Sequence, residues 1–307
     1  MNIRRVIDAI RKKFGNGALI LVYHRVACLD RDPQLLAVTP ERFAEHLEIL
    51  RRKANVIPLK ELVQRRDSRL PPRSVAITFD DGYADNLLFA KPLLERHELP
   101  ATVFVTSGFV GVDREFWWDE LDRILLNHRD AGWDVKSGVD EPRHAEYRSL
   151  HATLRSSTEQ QRMQALHDLQ VRTNSGSSAR ATHRALTPDQ LRKLAEGGLV
   201  DVGAHTVTHP VLASLPPAIQ QEEIDTSKKK LEEWLGQPVH SFAYPYGGQR
   251  DYDRHSVEAV RISGFSLACS NFPGIVWPNT NRWELPRTLI RNWNGEEFER
   301  VLDAVFA

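Results

Sequence analysis

The sequence predicts an α/β fold built on a parallel sheet, and three observations carry that reading. Apolar, β-branched runs at Ala18 to Tyr23, Val75 to Phe79 and Ala101 to Thr106 have the continuous hydrophobicity of strands buried on both faces. The last two flank a helical pattern and lie about 25 residues apart, the span of a βαβ unit, whose crossover imposes parallel pairing. A length of 307 residues suits one large barrel as well as two ordinary domains.

Composition narrows the class of function. Apolar residues make up 41% and charged residues 27%, and 41 basic side chains balance 41 acidic ones. The chain is therefore globular, and no nucleic-acid partner is expected. No run approaches the roughly 20 apolar residues of a spanning helix, and the start lacks a signal-peptide pattern. With only Cys28 and Cys269, a disulfide framework is not expected, in keeping with a reducing compartment. The expected location is the cytoplasm or the cytoplasmic face of a membrane.

Residues 1–17 read as a basic amphipathic helix. Ile3, Val6, Ile7, Ile10 and Phe14 share one face while Arg4, Arg5, Arg11, Lys12 and Lys13 supply cations. Such a helix either packs on the domain or makes peripheral membrane contact through residues 3–14. In the main unit, 18–307, the first strand ends at Tyr23-His24-Arg25, placing His24 where active-site groups of α/β folds collect. Thr39-Pro40 opens a helix with an N-cap hydroxyl and a proline. Val56 to Leu59 reads as extended, and Ala84 to His97 as a helix. From about 108 to 184 strand-like runs nearly vanish, so a helical insertion is expected, with helices opening at Phe116 and spanning Gln160 to Val171. Trp117 and Trp118 either line a sugar surface or, as preferred here, anchor that insertion. Alternation resumes with Thr187-Pro188, a strand from Leu199 to His205, a charged helix from Ala218 to Leu235 whose Lys228 to Lys230 run reads as a solvated face, a strand from Val239 to Tyr246, and a last strand from Leu285 to Ile290.

Chemistry concentrates at the strand ends. Val75 to Phe79 terminates in Asp80-Asp81-Gly82. Neighbouring strand residues face opposite ways, so both carboxylates reach one site only where the chain turns, which Gly82 permits. Adjacent carboxylates repel and persist with a cation between them or as an acid–base pair, unless the turn is merely polar with Asp81 as a helix cap. His205 and His209, four apart after another strand, lie at metal-ligand spacing in a turn or tight loop. Two histidines and a carboxylate leave positions on a divalent ion open, as in catalytic sites, and the second aspartate is then free to act as a base.

With these motifs the chain resembles the polysaccharide deacetylase family, the NodB-homology group of carbohydrate esterases. Thr78-Phe79-Asp80-Asp81-Gly82 resembles its first motif, His205 to His209 its metal motif, and Phe242 to Gly247 a variant of its third. The resemblance implies a distorted (β/α)7-type barrel, a divalent metal that is commonly Zn2+, and removal of acetyl from an N-acetylated sugar of a polysaccharide or glycan precursor. By motif position Asp80 is the base, Asp81, His205 and His209 are the metal ligands, and the Tyr246 backbone N–H is an oxyanion donor to substrate. Two departures matter. Ala243 stands where the third motif has an arginine, and Arg287 stands near the place of a histidine acid. Arg287 is therefore expected to hold Asp80 or bind substrate, and His24 becomes the candidate acid. An O-deacetylase on acetylated glycan and a carbohydrate-binding pseudoenzyme are the competing readings.

Overall fold

The computed structural model describes residues 17–65, 70–126, 142–176 and 178–306; the basic stretch 3–14 lies outside them. In chain order the strands are β1 (Ala18–Tyr23), β2 (Arg25–Val26), β3 (Ala37–Val38), β4 (Asn55–Val56), β5 (Ser74–Phe79), β6 (Ala101–Val105), β7 (Val200–Ala204), β8 (Ser241–Ala243), β9 (Leu267–Cys269) and β10 (Thr288–Leu289). The helices are α1 (Pro40–Lys53), α2 (Leu59–Arg65), α3 (Lys91–His97), α4 (Trp117–Leu126), α5 (Pro142–Arg155), α6 (Glu159–Thr173), α7 (Pro188–Ala195), α8 (Pro217–Leu235), α9 (Arg254–Ile262) and α10 (Gly295–Phe306). None of the described helices is long and apolar enough to cross a membrane.

The main sheet runs β10-β1-β5-β6-β7-β8-β9, with β4 beside the start of β5, and its strands pair in parallel. Its two ends meet through one segment. Leu285 bridges to Cys269 at the end of β9, and Thr288 and Leu289 then pair with Leu21 and Val22 of β1. The sheet thereby curls into a distorted barrel, closed by a strand that changes partner around Pro286 and Arg287. Strand alternation sorts the core. Ala18, Ile20, Ala76, Phe104 and Ala243 gather with Leu59 and Leu62 of α2, whereas Leu19, Leu21, Val75, Ile77 and Phe79 belong to the larger layer packed with the surrounding helices.

Between β6 and β7 stands the helical insertion. Its helices α4, α5 and α6 share an apolar core of Phe116, Trp117, Leu121, Tyr147 and Leu166, which Tyr83 joins from the barrel. Several local expectations need correction. The extended piece at Val56 to Leu59 stops at Val56, and α2 begins at Leu59. The expected helix from Ala84 to His97 is present over those residues but winds as a π-helical segment over Asn86–Ala90 before α3, where Pro92 has no N–H to continue the α-helical ladder. Lys228 is no purely solvated cation: it pairs with Glu232 at 2.8 Å and lies 4.7 Å above the Phe265 ring.

Gly203 of β7 is required by close packing, since a Cβ there would lie 2.4 Å from Cδ1 of Phe104 and 2.6 Å from Oγ of Ser241. Gly203→Ala is expected to destabilise the fold by about 1–3 kcal/mol through overpacking, read as a lower urea midpoint with unchanged slope; a wild-type midpoint would contradict the packing.

Candidate active site

Thr78 and Asp80 follow Ala76 on the barrel-interior face of β5. The strand then reverses within three residues: Asp81 has a left-handed backbone (φ 75°) and the Gly82 N–H donates to the Asp80 carbonyl at 3.0 Å. This turn brings both carboxylates to one pocket. Gly82 (φ 82°) shares the left-handed backbone, so the reversal does not rest on glycine alone. Left-handed backbone recurs at Thr206 (φ 66°), His209 (φ 55°) and Tyr246 (φ 60°), the other two strand-end loops that line the site. Each such residue costs of order 1–3 kcal/mol and persists only where its surroundings hold it.

His205 and His209 leave β7 in a tight loop, not in a helical turn. Their Nε2 atoms lie 3.7 and 3.4 Å from Oδ1 of Asp81, and all three side chains are buried. His205 Nδ1 is 2.7 Å from the Ala243 carbonyl, which fixes Nδ1 as the donor and leaves the Nε2 lone pair directed at the cluster. Oδ2 of Asp81 is buried without a hydrogen-bond partner. Burial first, and the neighbouring Asp80 charge second, push the Asp81 carboxyl well above the usual carboxylate range. One ligand atom from each of the three residues falls within 4.8 Å of the others. An orphaned buried carboxylate oxygen beside two imidazole Nε2 atoms fits a divalent cation.

Asp80 has a different partner. Arg287 Nη1 and Nη2 donate to its Oδ1 and Oδ2, each at 2.7 Å, in a bidentate ion pair. The guanidinium is itself fixed by the Ser270 carbonyl (2.7 Å) and Thr78 Oγ1 (3.2 Å). Burial alone would raise Asp80, but Arg287, with His205, holds its carboxyl below its ordinary value. Arg287 reaches this place from the seam between β9 and β10, so an arginine from the closing strand stands against Asp80 while Ala243 contributes its backbone carbonyl.

The pocket, about 260 Å³, is also lined by His24, Trp118, Arg155, Tyr246, Asn271 and Leu289. His24 is buried with Nδ1 unpartnered, and burial lowers its pKa to about 4 against the opposing pull of Asp80. Tyr246 N–H makes no backbone hydrogen bond among the described residues, and Gly247 N–H closes the turn onto Pro245 at 2.6 Å. Trp117 stays in the insertion core against His151. Trp118 does more than anchor: it donates to Tyr83 Oη at 2.8 Å and packs edge-on against His209 at 4.8 Å.

Sequence reasoning missed the residues that brace the loops. Glu223 of α8 accepts from the N–H groups of Val207 (2.8 Å) and Thr208 (2.9 Å). Arg155 of α5 pairs with Asp251 at 2.6 Å and lies 4.3 Å over the Tyr246 ring. Arg162 of α6 donates to the Thr208 and His209 carbonyls. No motif or spacing marks them, because they are charged helix positions whose loop partners lie beyond any local pattern, 15 and 16 residues away for Glu223 and 46 and 47 for Arg162.

Comparison with known proteins agrees with this architecture. A Staphylococcus aureus poly-beta-1,6-N-acetyl-D-glucosamine N-deacetylase is 22% identical over 305 residues, covering 94% of this chain and 82% of that protein. The structure of IcaB from Ammonifex degensii superposes with a TM-score of 0.65 at 22% identity, covering 96% and 99% of the two chains. Streptococcus pyogenes deacetylase PplD, solved with acetate, gives a TM-score of 0.63 at 18% identity, covering 94% and 99%. The sequence model of the polysaccharide deacetylase family matches residues 67–267. That span takes in the Asp80-Asp81 turn, the His205/His209 loop and the Tyr246 turn, and the chain belongs to the polysaccharide deacetylase family.

Proposed function

We propose that this chain is a divalent-metal-dependent N-deacetylase acting on an N-acetylhexosamine unit of a glycan or glycan precursor. One observation carries the reading: Asp81, His205 and His209 cluster in the same pocket as an arginine-clamped Asp80. Two imidazoles and one carboxylate suit Zn2+, and a bound cation of this kind supplies Lewis acidity toward the acyl oxygen and lowers the pKa of water. The name of the S. aureus relative supports a glucosamine-containing substrate.

The chain's own residues supply the remaining steps. Arg287 keeps Asp80 ionised and aimed, so that Asp80 accepts the proton of the attacking water. The Tyr246 N–H donates to the oxygen of the tetrahedral intermediate, where one such donor is worth about 2.7–4 kcal/mol. His24 protonates the departing nitrogen. Burial disfavours the charged form of His24 in the resting pocket, so the proton that Asp80 takes from water passes to His24 and from there to the departing nitrogen, which returns both groups to their starting states.

Acetate release from N-acetylglucosamine oligomers is expected to stop on chelation and return with Zn2+; release indifferent to chelator would contradict the metal reading. Faster turnover of O-acetylated than of N-acetylated glycan would favour an O-deacetylase instead. Arg287→Met is expected to lower kcat about 100-fold or more. The acid limb of its pH–rate profile should move to higher pH, since Asp80 loses the charge that depresses its pKa and must still ionise to act. An unshifted limb with unaltered kcat would remove Arg287 from the mechanism. His24→Asn should cost about 10²–10⁴-fold on the amide but far less on an aryl acetate, whose leaving group departs without a proton. Equal losses on the two substrates would exclude His24 as the acid.

A further inference from the structure

We infer that Arg162 is a positioning residue for the metal site, and that through it the docking of the helical insertion is coupled to divalent-metal binding. The inference rests on the metal reading above and adds to it a segment that lies outside the three ligands and the barrel strands.

The two histidines are held in different ways. His205 has its ring fixed directly by the Ala243 carbonyl. His209 has no such anchor: its Nδ1 is buried without a hydrogen-bond partner. The His209 ring is placed instead by packing, 4.8 Å from Trp118 and 4.6 Å from Tyr246, and by control of its left-handed backbone. Within the loop the Thr206 hydroxyl accepts from the His209 N–H at 3.1 Å, and two charges brace the loop from opposite sides. Glu223 grips the N–H side at Val207 and Thr208, and Arg162 grips the carbonyl side, with Nη1 at 3.2 Å from Thr208 O and 3.4 Å from His209 O.

Arg162 is suited to rigid placement and not to solvent exchange. It is 1% exposed, and its Nε and Nη2 donate to the Leu154 and Arg155 carbonyls at 3.0 and 3.5 Å. Its nearest carboxylate, Glu159, is 3.8 Å away. A buried guanidinium satisfied mainly by main-chain carbonyls from two segments ties those segments together, because parting them strands a charge away from water. The two segments are the junction between α5 and α6 and the loop that carries His209. Whatever stabilises His209 in its ligating geometry therefore stabilises the seat of the insertion, and the coupling is reciprocal.

The test is titration of the metal-free full chain with Zn2+ by calorimetry. Arg162→Met is expected to weaken Zn2+ binding about 10–100-fold, the range seen when groups that orient metal ligands are removed. Arg162→Lys should recover part of the loss. Arg172→Met should bind like wild type, since Arg172 lies exposed on the same helix and pairs with Glu146. A folded Arg162→Met protein with wild-type affinity overturns the inference while leaving the metal reading standing; absence of any Zn2+ binding by wild type removes both. If Arg162→Met does not fold, amide hydrogen exchange on the wild type decides. Zn2+ is expected to slow exchange across 154–162, and unchanged exchange there, with Zn2+ bound, overturns the coupling.

Discussion

The site depends on the burial of two adjacent carboxylates. Asp80 and Asp81 are both removed from water at the end of β5, where their mutual repulsion is least screened. The surroundings treat the two carboxylates differently. Asp80 receives a bidentate arginine and stays ionised. Asp81 faces two imidazoles whose burial disfavours their charged form and keeps one oxygen without a partner, an arrangement that suits a cation. Neighbours in sequence thereby acquire opposite tendencies, a depressed carboxyl beside a raised one.

The barrel seam explains how Asp80 obtains its arginine. A closing strand that pairs first with β9 at Leu285 and then with β1 at Thr288 must shift partners between those points. Arg287 falls in that interval, buried, and its guanidinium turns to the interior face that carries Thr78 and Asp80. Closure of the sheet and orientation of Asp80 are in this way one structural event. Ala243 of β8 contributes its carbonyl to His205.

Much of this was legible in the sequence. The buried runs of β1, β5 and β6 carry their own hydrophobic signature, and the Asp-Asp-Gly and His-x-x-x-His patterns stand at strand ends that a parallel sheet brings to one rim. Arg287 could be suspected only because Ala243 and Arg287 depart from a familiar pattern together. Backbone reversal at Asp81, Thr206, His209 and Tyr246 was not legible, since left-handed geometry at non-glycine residues is imposed by tertiary contacts and not by local preference. Trp118 is both an anchor of the insertion and a wall of the pocket, a double role that helical periodicity alone does not reveal. Arg155 and Arg162 left no trace, being polar positions on helices whose partners lie 96 and 46 residues away.

The most direct measurement is an anomalous-scattering map from crystals of the protein grown with Zn2+. One strong peak is expected, bounded by Asp81, His205 and His209, with Asp80 outside the coordination sphere and still paired to Arg287. A peak ligated by Asp80, or an occupied site with the Arg287 pair broken, would contradict the division of labour between the two carboxylates.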